Sequence, residues 1–177
     1  MDVEIIGREI VYSGKKVVLE KLFLRIRGNT TFHEIVRFGQ SVAVLPFIDD
    51  HNVILVRQFR GPIEGWILEV PAGRVDEGEE PDEACLRELE EETGYRASKL
   101  EKLASVYLSP GYSDEMIHLY VARELEYVGQ HLEEHEALNV VTIRYNELID
   151  MVHGGEIMDA KTALLVLLYE ARRRSGG

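Results

Sequence analysis

The segment from Gly73 to Tyr95, GRVDEGEEPDEACLRELEEETGY, packs ten acids and two arginines into 23 residues, a local charge of −8 in a chain whose net is −12. Glu80-Pro81-Asp82 predicts a helix start, because proline is tolerated in a first turn and acids there complement the helix dipole. The helix is expected to run to Thr93 and to stop at Gly94. At about 100° per residue, Glu88 and Glu92 lie one turn apart on one face with Glu91 beside them, while Cys85, Leu86 and Leu89 turn toward a core. Like charges at this spacing destabilise a helix by ~0.2–0.5 kcal/mol per pair, and no lysine interleaves with them as it would on a solvated face. A cation from elsewhere should neutralise the cluster. Hard divalent ions take oxygen ligands, and Mg²⁺ is commonly shared between carboxylates and substrate phosphates. A phosphate substrate bridged through Mg²⁺, or through Mn²⁺ in its place, is the economical inference.

The rest of the chain supplies a frame of strands. Asp2–Ile10, Lys16–Ile26 and Thr31–Arg37 are separated by the turn signals Tyr12-Ser13-Gly14 and Arg27-Gly28-Asn29, which predicts an N-terminal antiparallel meander. Ser41–Phe47 and Val53–Phe59, rich in Val, Ile, Leu and Phe, flank the polar Asp49-Asp50-His51-Asn52. Further strands are expected at Leu100–Leu108, Ile117–Ala122 and Ala137–Tyr145, then a short helix near Asn146–Val152 and a last one over Ala160–Arg174. Asp159 is placed to cap that last helix, and Arg172-Arg173-Arg174 end it where cations suit the dipole. The fold class expected is mixed α/β (α+β), with strands in pairs and few helices.

Composition narrows the function. With 177 residues, 45% of them hydrophobic, the chain can bury one core of ordinary size. A net charge of −12 provides no general attraction for nucleic acid or anionic lipid, so neither is expected as a partner. The N-terminus has no basic start, and the longest apolar run, Ala163 to Tyr169, falls far below the ~20 residues that cross a bilayer. The single cysteine, Cys85, cannot form an internal disulfide, which suits a reducing, cytoplasmic setting.

The acidic segment resembles the Nudix box, G-x5-E-x7-R-E-U-x-E-E-x-G-U with U apolar, at Gly73, Glu79, Arg87, Glu88, Leu89, Glu91, Glu92 and Gly94. Only Tyr95 departs, standing where a smaller aliphatic is usual. The resemblance implies a Nudix hydrolase fold, a mixed sheet sandwiched between helices, acting on a nucleoside diphosphate linked to another group. It implies that Glu88 and Glu92 ligate metal, with Glu91 as a further ligand or close support, and that the carbonyl of Ala72 is another ligand. Arg87 would orient these carboxylates, and Glu79 would fix the loop before the helix by hydrogen bonds. Gly73 and Gly94 are expected to allow backbone conformations that a side chain would resist.

A second segment, Ser109-Pro110-Gly111-Tyr112-Ser113-Asp114-Glu115, resembles the ADP-ribose pyrophosphatase subgroup, with Pro110 15 residues past the box. Leu68 to Gly73 and Arg57 to Arg60 look like the same subgroup. The resemblance implies hydrolysis of ADP-ribose to AMP and ribose 5-phosphate, with Arg60, Pro110 and Glu115 as substrate-binding residues. It also implies a mobile loop that supplies a glutamate as base. Within Leu132 to Glu136 that residue is expected to be Glu134, with Glu136 as the alternative base or an added metal ligand, so that the catalytic set is Glu134, Glu91, Arg87 and Glu136. His131 and His135 stand four apart like a zinc pair but lack a third ligand, and are read as surface histidines. Subgroup members are homodimers that exchange N-terminal strands, so residues 1–40 are expected to form a β extension for dimerisation before a Nudix domain over 41–177. Tyr12, Phe23 and Phe32 are candidates to stack on adenine, with core packing as the better default for each.

Three other readings stay open. The substrate could be another nucleoside diphosphate sugar, since nothing in these residues reads the base. A nucleotide-binding module without catalysis would be free to lose its self-repelling carboxylates, which this chain keeps. A two-carboxylate glycosidase fits less well, because three acids on one helix suit a metal better than an acid and base flanking a bond.

Overall fold

Among the described residues, apolar runs of β-branched and aromatic residues build ten strands. In the computed structural model, which describes residues 2–132 and 137–175, the order begins with β1 (Val3–Ser13), β2 (Val18–Ile26), β3 (Asn29–Arg37), β4 (Gln40–Pro46) and β5 (Asn52–Arg60). A 3₁₀ turn (Gly61–Ile63), β6 (Gly65–Glu69), β7 (Ala72–Arg74) and α1 (Pro81–Thr93) follow. The chain continues through β8 (Tyr95–Tyr107), β9 (Met116–Tyr127), β10 (Leu138–Arg144), α2 (Tyr145–Gly154) and α3 (Ala160–Ser175).

These elements fall into two units, Met1–Gln40 with Val106–Ile117, and Ser41–Ser105 with His118–Gly177. The first contains the predicted meander, β1–β2–β3, with antiparallel pairs such as Ile10 opposite Glu20 and Phe23 opposite Phe32. In the same unit, Asp114 accepts hydrogen bonds from the Phe38 N–H at 2.8 Å and from Arg37 at 3.2 Å, which ties the Ser109–Glu115 turn to the end of β3. Strand β1 leaves Val3, Ile5, Ile10, Val11 and Tyr12 exposed. The core assignment of Tyr12 and Phe32 therefore does not hold, since they are 60% and 49% exposed. A sheet is a single layer whatever its strand number, and its side chains are covered only where a second layer packs on them.

The second unit holds two sheets, ordered β10–β5–β6 and β7–β4–β9–β8. The second sheet is mixed. β4 pairs antiparallel with β7, while bonds from Met116 to Gly39 and from Phe47 to Ala122 run along β4 and β9 in the same direction. Residues 41–46, 53–56 and 117–122 are buried without alternation, the pattern of strands covered on both faces. Helix α1 supplies Ala84, Cys85 and Leu89 to a cluster with Val42, Val44, Tyr120 and Ala122. From α3, Tyr169 packs its ring 5.1 Å from Phe47 and accepts a hydrogen bond from Arg123.

Two short strands, β6 and β7, are absent from the sequence reading, because Pro71 interrupts the run and three residues give no periodicity. They matter most for function, since β7 carries the backbone against which the acidic helix lies.

Candidate active site

Helix α1 begins as its sequence requires. Pro81 occupies the first turn, the Glu83 carboxylate accepts from the Glu80 N–H at 3.4 Å, and Asp82 and Glu83 lie at the positive end of the dipole. It ends on Gly94, at φ +78°, whose N–H donates to the Glu90 carbonyl at 2.8 Å. A Cβ there would also stand 2.8 Å from the backbone nitrogen of Gln130. Gly94 is thus required both for its left-handed conformation and for the close passage of the chain beyond β9.

Burial of Leu89 and Cys85 fixes the rotation of the helix and aims Glu88 and Glu92 at β7. The Glu92 carboxylate, only 2% exposed, accepts from the Ala72 N–H at 3.0 Å. The Glu88 carboxylate rests on Gly73 so closely that a Cβ at that glycine would fall 1.9 Å from its carboxyl carbon. Gly73 has an ordinary strand conformation. The expectation that it serves an unusual backbone angle is thus corrected: the box needs glycine there to admit Glu88.

Arg87 links the remaining acids. Its Nε donates to Glu79 at 2.8 Å, one terminal nitrogen to Glu88 at 2.8 Å and Glu91 at 3.1 Å, and the other to Glu79 and the Arg74 carbonyl, both at 3.0 Å. The Glu79 carboxylate also receives the Asp76 N–H at 3.0 Å, closing the loop before α1. The bond from Arg87 holds the Glu79 carboxyl below the usual carboxylate range, outweighing the upward push of desolvation. Glu79, followed by Glu88, in turn raises the already high pKa of the guanidinium. A permanent cation thus holds three acids in fixed directions.

The Glu88 and Glu92 carboxylates gathered here are hard oxygens suited to a hard divalent ion. Among the described residues, no three or more His, Cys, Asp or Glu side chains form a ready-made cation cage. Arg87 draws Glu88 and Glu91 to itself. The cradle at Gly73 nevertheless brings Glu88 to the same stretch of backbone as Glu92, and this arrangement fits a metal better than it fits a solvated acidic face.

Other expected residues lie in different settings. Arg60 ends β5 and is engaged by Glu69, through bonds of 2.6 and 2.7 Å. Glu69 is 1% exposed and also receives the Lys161 ammonium. Burial pushes its carboxyl up, but the bonds from Arg60 and Lys161 prevail and hold it below the usual range. Sequence reasoning missed the role of Glu69, although one acid in the run Ile67-Leu68-Glu69-Val70 signals a buried partner. Pro110 and Glu115 belong to the other unit, on the turn held by Asp114. Glu134 and Glu136, like His135, lie outside the described residues. The flanking segment is anchored to α1, with the His131 N–H on the Glu91 carbonyl at 3.1 Å and the Gln130 amide on the Glu92 carbonyl at 2.6 Å. Exposed His131 lines, with Arg87, Glu90 and Glu91, an open cavity of about 370 Å³.

Comparison with known proteins gives a consistent picture. Residues 37–162 match the NUDIX domain. The chain is 40% identical to the ADP-ribose pyrophosphatase of Bacillus subtilis (strain 168) over 164 residues, covering 91% of this chain and 89% of that one. It is 38% identical, over the same shares, to the methanol dehydrogenase activator of Bacillus methanolicus. Identity to the GDP-mannose pyrophosphatase of Cronobacter sakazakii is 35% over 78% of each chain. A crystal structure of an ADP compounds hydrolase superposes with a TM-score of 0.88 at 26% identity, covering 100% of this chain and 97% of that one. With the Gly73–Gly94 box intact across β7 and α1, the chain belongs to the Nudix family and is a hydrolase of the Nudix fold.

Proposed function

We propose that the protein hydrolyses the diphosphate of ADP-ribose to AMP and ribose 5-phosphate, using Mg²⁺, or Mn²⁺ in its place. The observation that carries this reading is the seating of Glu88 and Glu92 on the Ala72–Gly73 backbone, with Arg87 holding Glu88, Glu91 and Glu79. Glu88, Glu92 and the Ala72 carbonyl would hold the cation, with Glu91 and Glu136 as further ligands. When bound, it supplies the positive charge that lets an acidic site accept a diphosphate, and it lowers the pKa of water.

The protein's own residues do the rest. Water's oxygen bonds to one phosphorus as the bridging oxygen leaves on the other phosphate, and the water proton passes to Glu134, or to Glu136 in its place. Arg87 keeps the carboxylates from repelling one another apart. Arg60, Pro110 and Glu115 are assigned to substrate binding; for Arg60, the bidentate bond to Glu69 fixes the direction in which its guanidinium edge can meet an anion.

The choice of ADP-ribose rests on 40% identity to an enzyme of that name along nearly the whole chain. Cleavage of another nucleoside diphosphate sugar is the second reading, favoured by the GDP-mannose pyrophosphatases among the relatives. Comparing ADP-ribose, GDP-mannose and UDP-glucose at equal concentration distinguishes them: ADP-ribose should give the highest kcat/KM, and a preference for either of the others overturns the assignment.

Residues 1–40 are proposed to form a homodimer contact, for which the exposed apolar side chains of β1 are the support. A cytoplasmic setting is proposed from the single, buried cysteine. Among the described residues, no helix is long and apolar enough to cross a membrane.

A further inference from the structure

The five residues Glu69 to Gly73 are pinned from two sides. On one side stand the acids of α1, with Glu92 on the Ala72 N–H at 3.0 Å and Glu88 against Gly73. On the other stands the first turn of α3. There the buried Thr162 hydroxyl accepts from the Val70 N–H at 2.9 Å, across 92 positions of sequence. Asp159 orients that hydroxyl by accepting its proton, and accepts the Thr162 N–H at 2.9 Å as the helix cap. Its second oxygen takes the Lys161 ammonium at 2.9 Å, and Lys161 also reaches Glu69, the residue before Val70.

This arrangement exceeds what capping α3 requires. A cap needs only Asp159 and a backbone N–H. Here the capped residue passes the bond on to the link between β6 and β7, and the neighbouring lysine holds the end of β6 through a carboxylate that is 1% exposed. Thr162 has one proton to give, and Asp159 takes it, so the hydroxyl oxygen is left aimed at Val70 as an acceptor. We infer that Thr162, oriented by Asp159, is a positioning residue for cation binding: it fixes the link that leads from β6 into β7, onto which Glu88 and Glu92 close. The inference rests on the proposed role of those two glutamates as ligands.

The test is Mn²⁺ binding to the substrate-free protein, measured by the loss of the free-ion electron paramagnetic resonance signal and by calorimetry. Thr162→Val keeps the shape and removes the acceptor. It should weaken Mn²⁺ binding about tenfold, as loss of a residue supporting a metal ligand typically does, while Thr162→Ser, which keeps the hydroxyl acceptor, should restore the parent's affinity. If Thr162→Val does not fold, Asp159→Ala, which frees the hydroxyl to rotate, should show the same weakening. A folded Thr162→Val or Asp159→Ala protein that melts earlier but binds Mn²⁺ like the parent overturns the inference and leaves the ligand assignment standing. Glu92→Gln is the control. If it too binds Mn²⁺ like the parent, the ligand assignment itself fails, and the inference with it.

Discussion

Replacing Gly73 by alanine should separate stability from catalysis more cleanly than any other single change. The added Cβ would lie 1.9 Å from the Glu88 carboxyl carbon and 2.1 and 2.2 Å from its oxygens. Ordinary contact begins near 3.4 Å, so the carboxylate must retreat by about 1.5 Å. The obstruction is the far end of a flexible side chain, and Gly73 has no positive φ. The fold can therefore yield cheaply, and alanine gains about 0.4–1 kcal/mol by restricting the unfolded chain. We expect a urea unfolding midpoint close to the parent's. Activity should behave differently, because a misplacement of about 1 Å at a reacting centre can lower the rate on the order of 100-fold. Steady-state hydrolysis of ADP-ribose at saturating Mg²⁺, beside urea unfolding of the same preparation, reads both. A Gly73→Ala enzyme with parental kcat/KM would refute the view that Glu88 must sit on that glycine. Collapse of the fold would show that the carboxylate cannot retreat as described.

Arg87→Met should lower stability at pH 7 by about 1–3 kcal/mol, the scale of hydrogen bonds to charged groups, and the deficit should be pH-dependent. Arg87 depresses the folded-state pKa of Glu79, so this stabilisation is present above the unfolded carboxylate value of about 4.3 and is lost as pH falls through the lower folded value. Urea unfolding at pH 7 and near pH 3 should show the gap between variant and parent narrowing in acid; a constant gap contradicts the ion-pair origin. Glu134→Gln should lower kcat by about 100-fold or more, as loss of a general base does, with little change in Mn²⁺ affinity. An unaffected rate moves the base to Glu136.

Where the chain states its own boundaries, the sequence was sufficient. Helix α1 was legible because Pro81, the acids of its first turn and Gly94 mark both ends, and α3 because Asp159 caps it as expected. Strand β8 begins at Tyr95, earlier than its apolar residues suggest, because Gly94 turns the chain straight into the sheet. What stayed hidden depends on long-range partners. Glu69 finds Arg60 nine residues away and Lys161 92 residues away, and no local pattern announces either distance. The role of Gly73 was misread for a related reason, since whether a glycine serves a torsion angle or a close approach depends on what lies above it. Tyr12 and Phe32 are exposed although they stand in strands, because a strand pattern tells which residues share a face and not whether a second layer covers that face.

The most direct measurement is hydrolysis of ADP-ribose with Mg²⁺ and then with excess EDTA, with the products separated by chromatography. AMP and ribose 5-phosphate should be released with the metal and not with the chelator. Release that persists in EDTA would contradict a cation-dependent site at Glu88 and Glu92, and no release from ADP-ribose under either condition would contradict the proposed activity.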